Sequence, residues 1–295
     1  MALIQKTPSP DVSIIVPFRN SERYIERCLL GLLAQSYPSG SYEILLVDNK
    51  STDRSAEIVG KFQRVQLFRE DKPGAYAARN RGVAFSQGRL LAFTDADCVP
   101  SVNWLKELVA TFAESKVALV QGRRIFGDAG SVLSLLAAYE AEVHAYVFSG
   151  AVKGPVFGYT NNMAVRREIF ESCGPFPETM RGADSIFVDR VVSSFSHEVL
   201  RYARDACVQH LEITSVRAWL RKKVLYGRSF QHDLNQRLLG GSRSRAERVA
   251  LLKLTIQKEG CSAAQAAKLV LVISIGNLGF TYGRLTSHRS ADYQV

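Results

Sequence analysis

Apolar runs alternate with stretches of helical spacing along the first 120 residues or so of the chain. The runs are short and rich in β-branched residues, and they predict strands at Asp11–Arg19, Tyr42–Asp48, Val65–Arg69, Leu90–Thr94 and Val117–Gln121. Between them, apolar residues three or four positions apart predict helices. These helices are expected after Ser21, after Ser51 or Thr52, over Gly74–Phe85 and over Trp104–Phe112. The alternation is typical of an α/β protein with a mostly parallel sheet between helices.

The pattern becomes more mixed after this alternation. A long helix is predicted over Ser131–Phe148, where His144 is expected at the surface. The pattern then predicts a turn and strand at Val156–Val165, a short helix at Arg166–Ser172 and a loop rich in Gly and Pro at Cys173–Arg181. A helix at Gly182–Val192 and a strand at Val199–His210 follow.

The last part of the chain is basic and helical in pattern. Trp219–Leu239 predicts a basic amphipathic helix, Gly240–Ser242 a break, and Arg243–Gln257 another helix. Leu269–Tyr282 is apolar over 14 residues, which is short of the ~20 that span a bilayer. We therefore expect this segment to pack against the protein or to lie at a membrane interface.

Charge is distributed unevenly along the chain. Residues 1–200 contain 22 Lys and Arg against 22 Asp and Glu, whereas residues 201–295 contain 16 against 6, which accounts for the net charge of +10. This tail predicts contact with an anionic membrane surface, or else a set of solvated helix faces. Nucleic acid is not expected as a partner, because no basic sheet motif with interleaved aromatic residues is present.

Cysteine usage and missing motifs exclude several classes of protein. The five cysteines form no C-x-x-C pair, which favours reduced thiols in the cytoplasm over disulfides or a zinc site. The beginning of the sequence has no apolar signal core, so secretion is not expected. Neither G-x-G-x-x-G after the first strand nor a P-loop motif occurs, which disfavours an ordinary dinucleotide or P-loop site.

Acidic residues follow a buried strand at the most informative place in the sequence. Leu90–Thr94 leads into Asp95 and Asp97, and an acid or a Pro-Phe-Arg sequence also ends two other strands, at Asp48 and at Pro17–Arg19. Ligands of such sheets bind beyond the carboxyl ends of the strands. Oxygen ligands suit Mg²⁺ or Mn²⁺, so we interpret the acidic pair as a metal site for a nucleotide diphosphate. A solvated turn is the alternative.

Six segments, in their order, resemble the family 2 glycosyltransferases with the GT-A fold. They are SIIVPFRNSERYIERCLLGLLAQSYP, EILLVDNKSTDRSAEI, PGAYAARNRGVAFSQGRLLAFTDADC, GYTNNMAVRREIFESCGPFPE, RGADSIFVDRV and HLEITSVRAWLRKKVLYGRSF. The resemblance implies a GT-A catalytic domain over residues 1–210. Its nucleotide-sugar half would cover about residues 11–121 and its acceptor half about 122–210. A helical basic extension would follow over 211–295.

The resemblance also implies roles for individual residues. The nucleotide, with uridine favoured by the acid at position 48, would contact Pro17, Arg19, Asp48, Lys72, Arg79, Asn80 and Asp95. The metal ion, Mn²⁺ or Mg²⁺, would be held by Asp95, Asp97 and His210. Asp184 would be the general base, and Asn161 and Asn162 would shape the acceptor pocket. Two departures from the family pattern are Ala183, where Glu is frequent, and Asn49, where a second Asp is usual.

The expected activity is therefore metal-dependent transfer of a hexosyl or N-acetylhexosaminyl group from a nucleotide sugar, with a UDP-sugar favoured. Inversion by single displacement would deliver the sugar to a glycan or lipid-linked acceptor in polysaccharide, glycolipid or cell-envelope glycan synthesis. A nucleotidyltransferase and a noncatalytic nucleotide-sugar-binding protein are the alternatives. The tail lacks the Gln-x-x-Arg-Trp motif of processive synthases, which argues against a polymer-extruding enzyme.

Overall fold

Four parallel strands form the amino-terminal half of a single sheet. The computed structural model describes residues 9–149, 156–178, 181–229 and 244–286. Its first four strands pair in parallel in the order β3-β2-β1-β4. They are β1 (Val12–Phe18), β2 (Tyr42–Asp48), β3 (Gln66–Arg69) and β4 (Leu90–Thr94). Helices α1 (Ile25–Leu33), α2 (Ser55–Gly60) and α3 (Ala75–Phe85) connect them. The predicted α/β class is confirmed.

The carboxyl-terminal half of the sheet is mixed in direction. The strands β5 (Cys98–Pro100), β6 (Leu119–Ile125), β7 (Asn162–Arg166) and β8 (Leu200–His210) extend it to the order β3-β2-β1-β4-β7-β6-β8-β5. β7 is antiparallel to β4 and β6, and β5 is antiparallel to β8. The sequence pattern did not predict β5, because three residues are too few to carry a periodicity.

In the described part of the chain, seven further α-helices surround and extend the sheet. They are α4 (Trp104–Thr111), α5 (Val132–Val147), α6 (Arg167–Cys173), α7 (Ala183–Phe195), α8 (Val216–Ser229), α9 (Arg245–Lys258) and α10 (Ala263–Thr286). Part of the predicted helix Trp219–Leu239 and the break at Gly240–Ser242 lie outside the described residues. The apolar tail helix, α10, has 24 residues and is longer than its apolar run predicted.

Two hydrophobic cores cover the two faces of the sheet. On one face, α1 and α4 bury Leu29 and Trp104 against the strands. On the other face, rings from β4, the loop before α7 and α7 itself pack together through Phe93, Phe176 and Phe187. Phe93 and Phe176 meet edge to face with ring centroids 5.2 Å apart, a favourable arrangement of two aromatic quadrupoles. Both faces being covered explains why β1 and β4 are buried along their whole length.

A third core joins the basic extension to the sheet domain. Trp219 of α8 and Leu269 of α10 are buried against Leu136 of α5 and Phe126 after β6. This core crosses the predicted boundary at residue 210. The extension is thus packed onto the rest of the described chain through shared apolar side chains.

Local predictions at two helix starts were wrong. Ser21 does not cap α1, since its hydroxyl donates to the Arg19 carbonyl at 3.1 Å and the helix begins four residues later. Neither Ser51 nor Thr52 caps α2, which begins at Ser55. Asp53 binds that start instead, accepting from the Ser55 backbone N–H at 3.0 Å. The loops after β1 and β2 interlock, because the N–H of Ser21 donates to the Ser55 hydroxyl at 2.7 Å and the N–H of Glu22 donates to Asp53 at 3.0 Å. This long-range pairing decides where the helices begin.

His144 was expected at the surface and is buried. Its ring lies edge-on to Phe157 and Tyr159, with centroids 5.2 and 4.6 Å away, and Nδ1 donates to the Glu140 carbonyl at 2.7 Å. The prediction failed because Phe157 and Tyr159, which follow α5 in the chain, cover this face of the helix, and helical spacing alone does not show such a contact.

Glycines allow α8 and α10 to approach closely. A Cβ atom added at Gly283 would lie 2.1 Å from the Val224 carbonyl oxygen, and one at Gly227 would lie 2.0 Å from the Phe280 carbonyl oxygen. Both neighbours are backbone atoms and cannot rotate away. The two helices therefore pack backbone to backbone, which only glycine permits at these positions.

We predict that Gly283→Ala lowers the free energy of unfolding by roughly 1–3 kcal/mol, the usual cost of overpacking. Gly279→Ala is the matched control, because its added Cβ would meet only the Val224 side chain at 3.3 Å. Denaturant titration of both variants measures the difference. Equal stability of the two variants would contradict the close packing.

Candidate active site

The ends of β1, β2 and β4 lie side by side at one edge of the sheet. Pro17 pairs with Val47 and Phe18 with Asp48 in the parallel register, and Ile15 pairs with Phe93 just before the end of β4. Pro17 and Asp48 are buried here, while Arg19 is exposed. Parallel strands thus bring together residues that are 30 positions apart (Phe18 and Asp48) and 78 positions apart (Ile15 and Phe93) in sequence.

Asp48 and Asn49 shape the loops around this edge. Asp48 Oδ1 accepts from the Ser51 backbone N–H at 2.8 Å. The Asn49 amide donates to the carbonyls of Glu70 and Lys72 at 3.0 and 2.7 Å and accepts from the Gly74 N–H at 2.8 Å. An Asp could not donate these two bonds, which explains Asn at this position.

Lys72 and Asn80 both contact the loop before α7. Lys72 is exposed and forms an ion pair with Glu178. The Asn80 side chain donates to the Phe176 carbonyl at 2.9 Å and accepts from the Phe176 N–H at 3.1 Å. Asn80 therefore holds this loop in place, and its amide is occupied by protein.

Arg79 lies at the centre of the acidic groups. It is 4% exposed and forms an ion pair with Asp95, and its guanidinium lies 5.1 Å from the ring centroid of Tyr76. Asp95 thus turns toward Arg79. The two acids therefore face different partners, because the buried guanidinium attracts Asp95.

Asp97 lies beside His210 because β5 pairs with β8. Cys98 is the register partner of His210, and the Leu211 N–H donates to the Asp97 carbonyl at 2.8 Å. Asp97 Oδ2 is 3.4 Å from His210 Nδ1. Burial, reinforced by the neighbouring charges of Asp95 and Glu212, raises the pKa of Asp97 to about 7.

His210 is a buried, neutral imidazole. Burial and the Lys222 ammonium lower the pKa of His210 to about 2. Nε2 lies 3.1 Å from Lys222 Nζ, whereas Nδ1 has no hydrogen-bond partner among the residues that the structure describes. An orphaned imidazole nitrogen facing a carboxylate fits a divalent metal ion.

Cys98 is close to this pair but does not suit the same ion. Its Sγ lies with Asp97 and His210 in a cluster of potential ligand atoms within 4.8 Å of one another. Burial, followed by the charge of Asp97, raises the pKa of the Cys98 thiol well above its usual value. A protonated thiol is a poor ligand for Mg²⁺ or Mn²⁺, so the oxygen and imidazole groups carry the fit.

Asp184 stands at the first turn of α7, next to the same arginine. Gly182 precedes the helix with φ of 82°, a left-handed conformation that favours glycine. The carboxylate accepts from the Ser185 N–H at 2.9 Å and also from the Tyr76 hydroxyl and the Thr160 N–H. Burial raises its pKa despite these bonds and the nearby charge of Arg79.

Asn161 and Asn162 differ in their surroundings. Asn162 is fully buried; its Oδ1 accepts from Trp104 Nε1 at 2.8 Å, and its Nδ2 donates to the carbonyls of Arg123 and Ala206, both at 2.8 Å. The predicted acceptor role of Asn162 therefore disagrees with this geometry, because the fold uses its whole amide. Asn161 keeps a buried Oδ1 without a partner in the described part of the chain.

Three residues at the site were not identified from the sequence. Tyr76 donates to Asp184, while Glu212 and Lys222 form an ion pair of 2.9 Å beside Asp97 and His210. Lys222 belongs to the run Arg221-Lys222-Lys223, which was interpreted as part of a basic amphipathic helix. The half-buried position of its side chain depends on how α8 docks.

A family model matches more than half of the chain. Residues 13–174 match the model "Glycosyl transferase family 2". The chain belongs to glycosyl transferase family 2. One relative, Glycosyltransferase AglE of Haloferax volcanii, is 33% identical over 204 residues, which are 65% of this chain and 66% of that protein. Among the relatives compared, the match spans 38% to 66% of the relative's own length.

Solved structures with this fold include two nucleotide-sugar complexes. The mannosyltransferase PcManGT from Pyrobaculum calidifontis, in complex with GDP-Man and Mn²⁺, has a TM-score of 0.62 at 19% identity; the alignment covers 97% of this chain and 89% of that one. S. aureus TarS 1–349, in complex with UDP-GlcNAc, has a TM-score of 0.52 at 16% identity, with 96% and 93% covered. At these identities the likeness establishes the fold of this family 2 chain.

We predict that Asp97 makes the metal-free protein less stable as pH rises. Its pKa is about 7 in the fold against a reference value of 3.8, so its stabilising contribution is full below pH 4 and is lost as pH rises to about 7. Asp97→Asn should therefore raise Tm at pH 8 more than at pH 5. Thermal unfolding in a chelator measures this; an equal change at both pH values would contradict it.

Proposed function

We propose that this family 2 chain transfers a sugar from a nucleotide-sugar donor to an acceptor hydroxyl, with a divalent metal ion and inversion at the anomeric carbon. One observation carries the proposal. Arg79 pairs with Asp95 and lies close enough to Asp184 to lower its pKa. The groups suited to hold a diphosphate and the group suited to take a proton therefore meet around one buried cation.

The metal ion would be held by Asp97 and His210, with Asp95 joining when its carboxylate leaves Arg79. When bound, Mn²⁺ or Mg²⁺ neutralises charge on the leaving diphosphate. The Mn²⁺ in the PcManGT complex supports a divalent ion without deciding between the two metals. Arg79, released from Asp95, is then a second cation at the same edge of the sheet.

A UDP-sugar is the proposed donor. Asp48 is buried at the end of β2 and uses Oδ1 for the Ser51 N–H, so Oδ2 remains to accept from the uracil ring N–H. Pro17 lies on the neighbouring strand at the same level. UDP-GlcNAc in TarS supports this donor class, whereas PcManGT holds GDP-Man.

Asp184 is the proposed general base. The acceptor oxygen forms a bond to the anomeric carbon while the bond from that carbon to the diphosphate breaks, and the acceptor proton passes to Asp184. Tyr76 and the Ser185 N–H orient the carboxylate. Burial raises its pKa, which brings it nearer to the working pH and improves it as a base.

The test combines a donor screen with one substitution. We expect nucleotide release with UDP-sugars in preference to GDP- and dTDP-sugars in Mn²⁺ or Mg²⁺. We expect Asp184→Asn to retain UDP affinity by calorimetry and to lose at least ~10²-fold in turnover. Unchanged turnover in this variant, or equal UDP affinity with and without metal, would refute the mechanism.

We further propose that the extension over residues 211–295 holds the enzyme at the cytoplasmic face of an anionic membrane, where a glycan or lipid-linked acceptor is presented. α10 is long and apolar enough to cross a membrane by length and composition, with 11% of its most apolar window buried. Its solvent face carries an apolar stripe, defined here as Leu271, Ile275, Leu278, Tyr282 and Leu285, whose residues are 42% to 70% exposed.

The spacing and charge around the apolar stripe favour a lipid surface. Steps of four and three residues place all five side chains on one helix face, opposite Gly276 and Gly283, which face α8. A second copy of the chain could also cover an apolar stripe. The excess of basic residues in the extension would repel such a copy and attract anionic headgroups.

We predict that the protein co-sediments with vesicles containing anionic phospholipid more strongly than with zwitterionic vesicles, and less as salt rises. Leu278→Glu, in the centre of the apolar stripe, should abolish this binding. Leu30→Glu is the matched control, because Leu30 is 56% exposed on α1. Sedimentation independent of lipid charge, or equal loss in both variants, would argue against membrane docking.

A further inference from the structure

Lys222 reaches from α8 into the proposed metal site. Its Nζ lies 3.1 Å from His210 Nε2 and 2.9 Å from Glu212 Oε2, and its side chain is 24% exposed. Asp97 is near enough for the Lys222 charge to lower its pKa. Among the described residues, Lys222 is the only one whose ammonium contacts His210. It therefore lies where the proposed metal ion would interact with the same acids.

This contact determines which nitrogen of His210 carries the proton. An ammonium has three donors and no lone pair, so at this distance Lys222 donates and Nε2 accepts. The neutral ring must then hold its proton on Nδ1, the nitrogen that faces Asp97. In this tautomer, His210 offers no lone pair toward Asp97, although that is the side on which a metal ion would bind.

We propose that Lys222 is a positioning residue that competes with the divalent ion for His210 and then binds the diphosphate of the donor. His210 and Asp97 can hold an ion together only after the ring proton has moved from Nδ1 to Nε2. The ring stays neutral and the ammonium keeps its three protons. Nε2–H can no longer accept from Lys222, so Lys222 turns to an anionic oxygen of the diphosphate.

The contacts around α8 fix the helix backbone, so that only the Lys222 side chain changes its partner. The neighbouring Lys223 Nζ lies 3.2 Å from Glu140 Oε1, and Trp219 Nε1 donates to the same oxygen at 3.2 Å. Arg124 contacts the other oxygen at 2.9 Å. Burial alone would raise the pKa of Glu140, but Lys223 and Arg124 lower it to about 2. This charged anchor fixes the helix backbone while Lys222 changes partner.

The inference rests on the proposed metal-dependent function, and it predicts effects of opposite sign on two ligands. Lys222→Met should bind Mn²⁺ alone about tenfold more tightly, because one charge-assisted hydrogen bond no longer competes. With Mn²⁺ saturating, it should bind UDP about tenfold more weakly, because a charge-assisted donor to the diphosphate is lost. Lys222→Arg should recover part of the UDP affinity.

Calorimetry of the full chain measures both affinities. Arg221→Met is the matched control: it removes the same charge from the neighbouring, exposed position and should change neither affinity. ¹⁵N NMR of the histidine ring gives an independent signature. Metal-free wild type should show the proton on Nδ1, and added Mg²⁺ should move it to Nε2.

Two results would overturn the role of Lys222: Mn²⁺ affinity in Lys222→Met that is unchanged or weaker, or UDP affinity that is unchanged. Asp97→Ala separates this failure from failure of the metal site. If Asp97→Ala abolishes Mn²⁺ binding while Lys222→Met behaves as wild type, the metal site stands and the competition is wrong. If Asp97→Ala binds Mn²⁺ as wild type does, both the metal site and the inference fall.

Discussion

The buried guanidinium of Arg79 is the constraint on which the site depends. A buried cation without a counterion is strongly unfavourable, and Arg79 meets this requirement through Asp95 and the ring of Tyr76. Its charge also acts on Asp184. One side chain on α3 therefore gathers a group from the end of β4 and a group from the start of α7. If a diphosphate replaced Asp95 as the partner of Arg79, the guanidinium would pair with phosphate instead.

The second organising feature is the pairing of β5 with β8. It brings Asp97 and His210 together across more than a hundred residues, and α8 then adds Lys222 from the extension. The site is thus closed by a helix for which charge patterning predicted an anionic membrane surface or solvent, and not the acids of the sheet, as its surroundings. Because the same extension carries the apolar stripe on α10, a membrane bound there would lie at a fixed orientation to the acids.

Local pattern was sufficient for much of the fold. Strands β1, β2 and β4 were predicted within two residues of their bounds, since apolar runs buried on both faces have few alternatives. The strand β7 was predicted, but its antiparallel pairing, the short β5 and the burial of His144 were not, because each depends on contacts outside the element itself. The helix starts at α1 and α2 failed for the same reason: bonds between the two loops, in which the backbone N–H groups of Glu22 and Ser21 donate to Asp53 and Ser55, replaced the expected serine and threonine caps.

The sequence by itself determined which chemical groups are available: acids at strand ends, a histidine ending a strand, an acid opening a helix and a basic, partly apolar tail. Only the tertiary structure decided how they are used. Asp95 faces Arg79, the Asn162 amide is consumed by the core, and Lys222 faces His210. The reason is physical: hydrogen bonds and ion pairs are short-ranged and directional, so their partners follow from chain packing, which residue type and spacing do not specify.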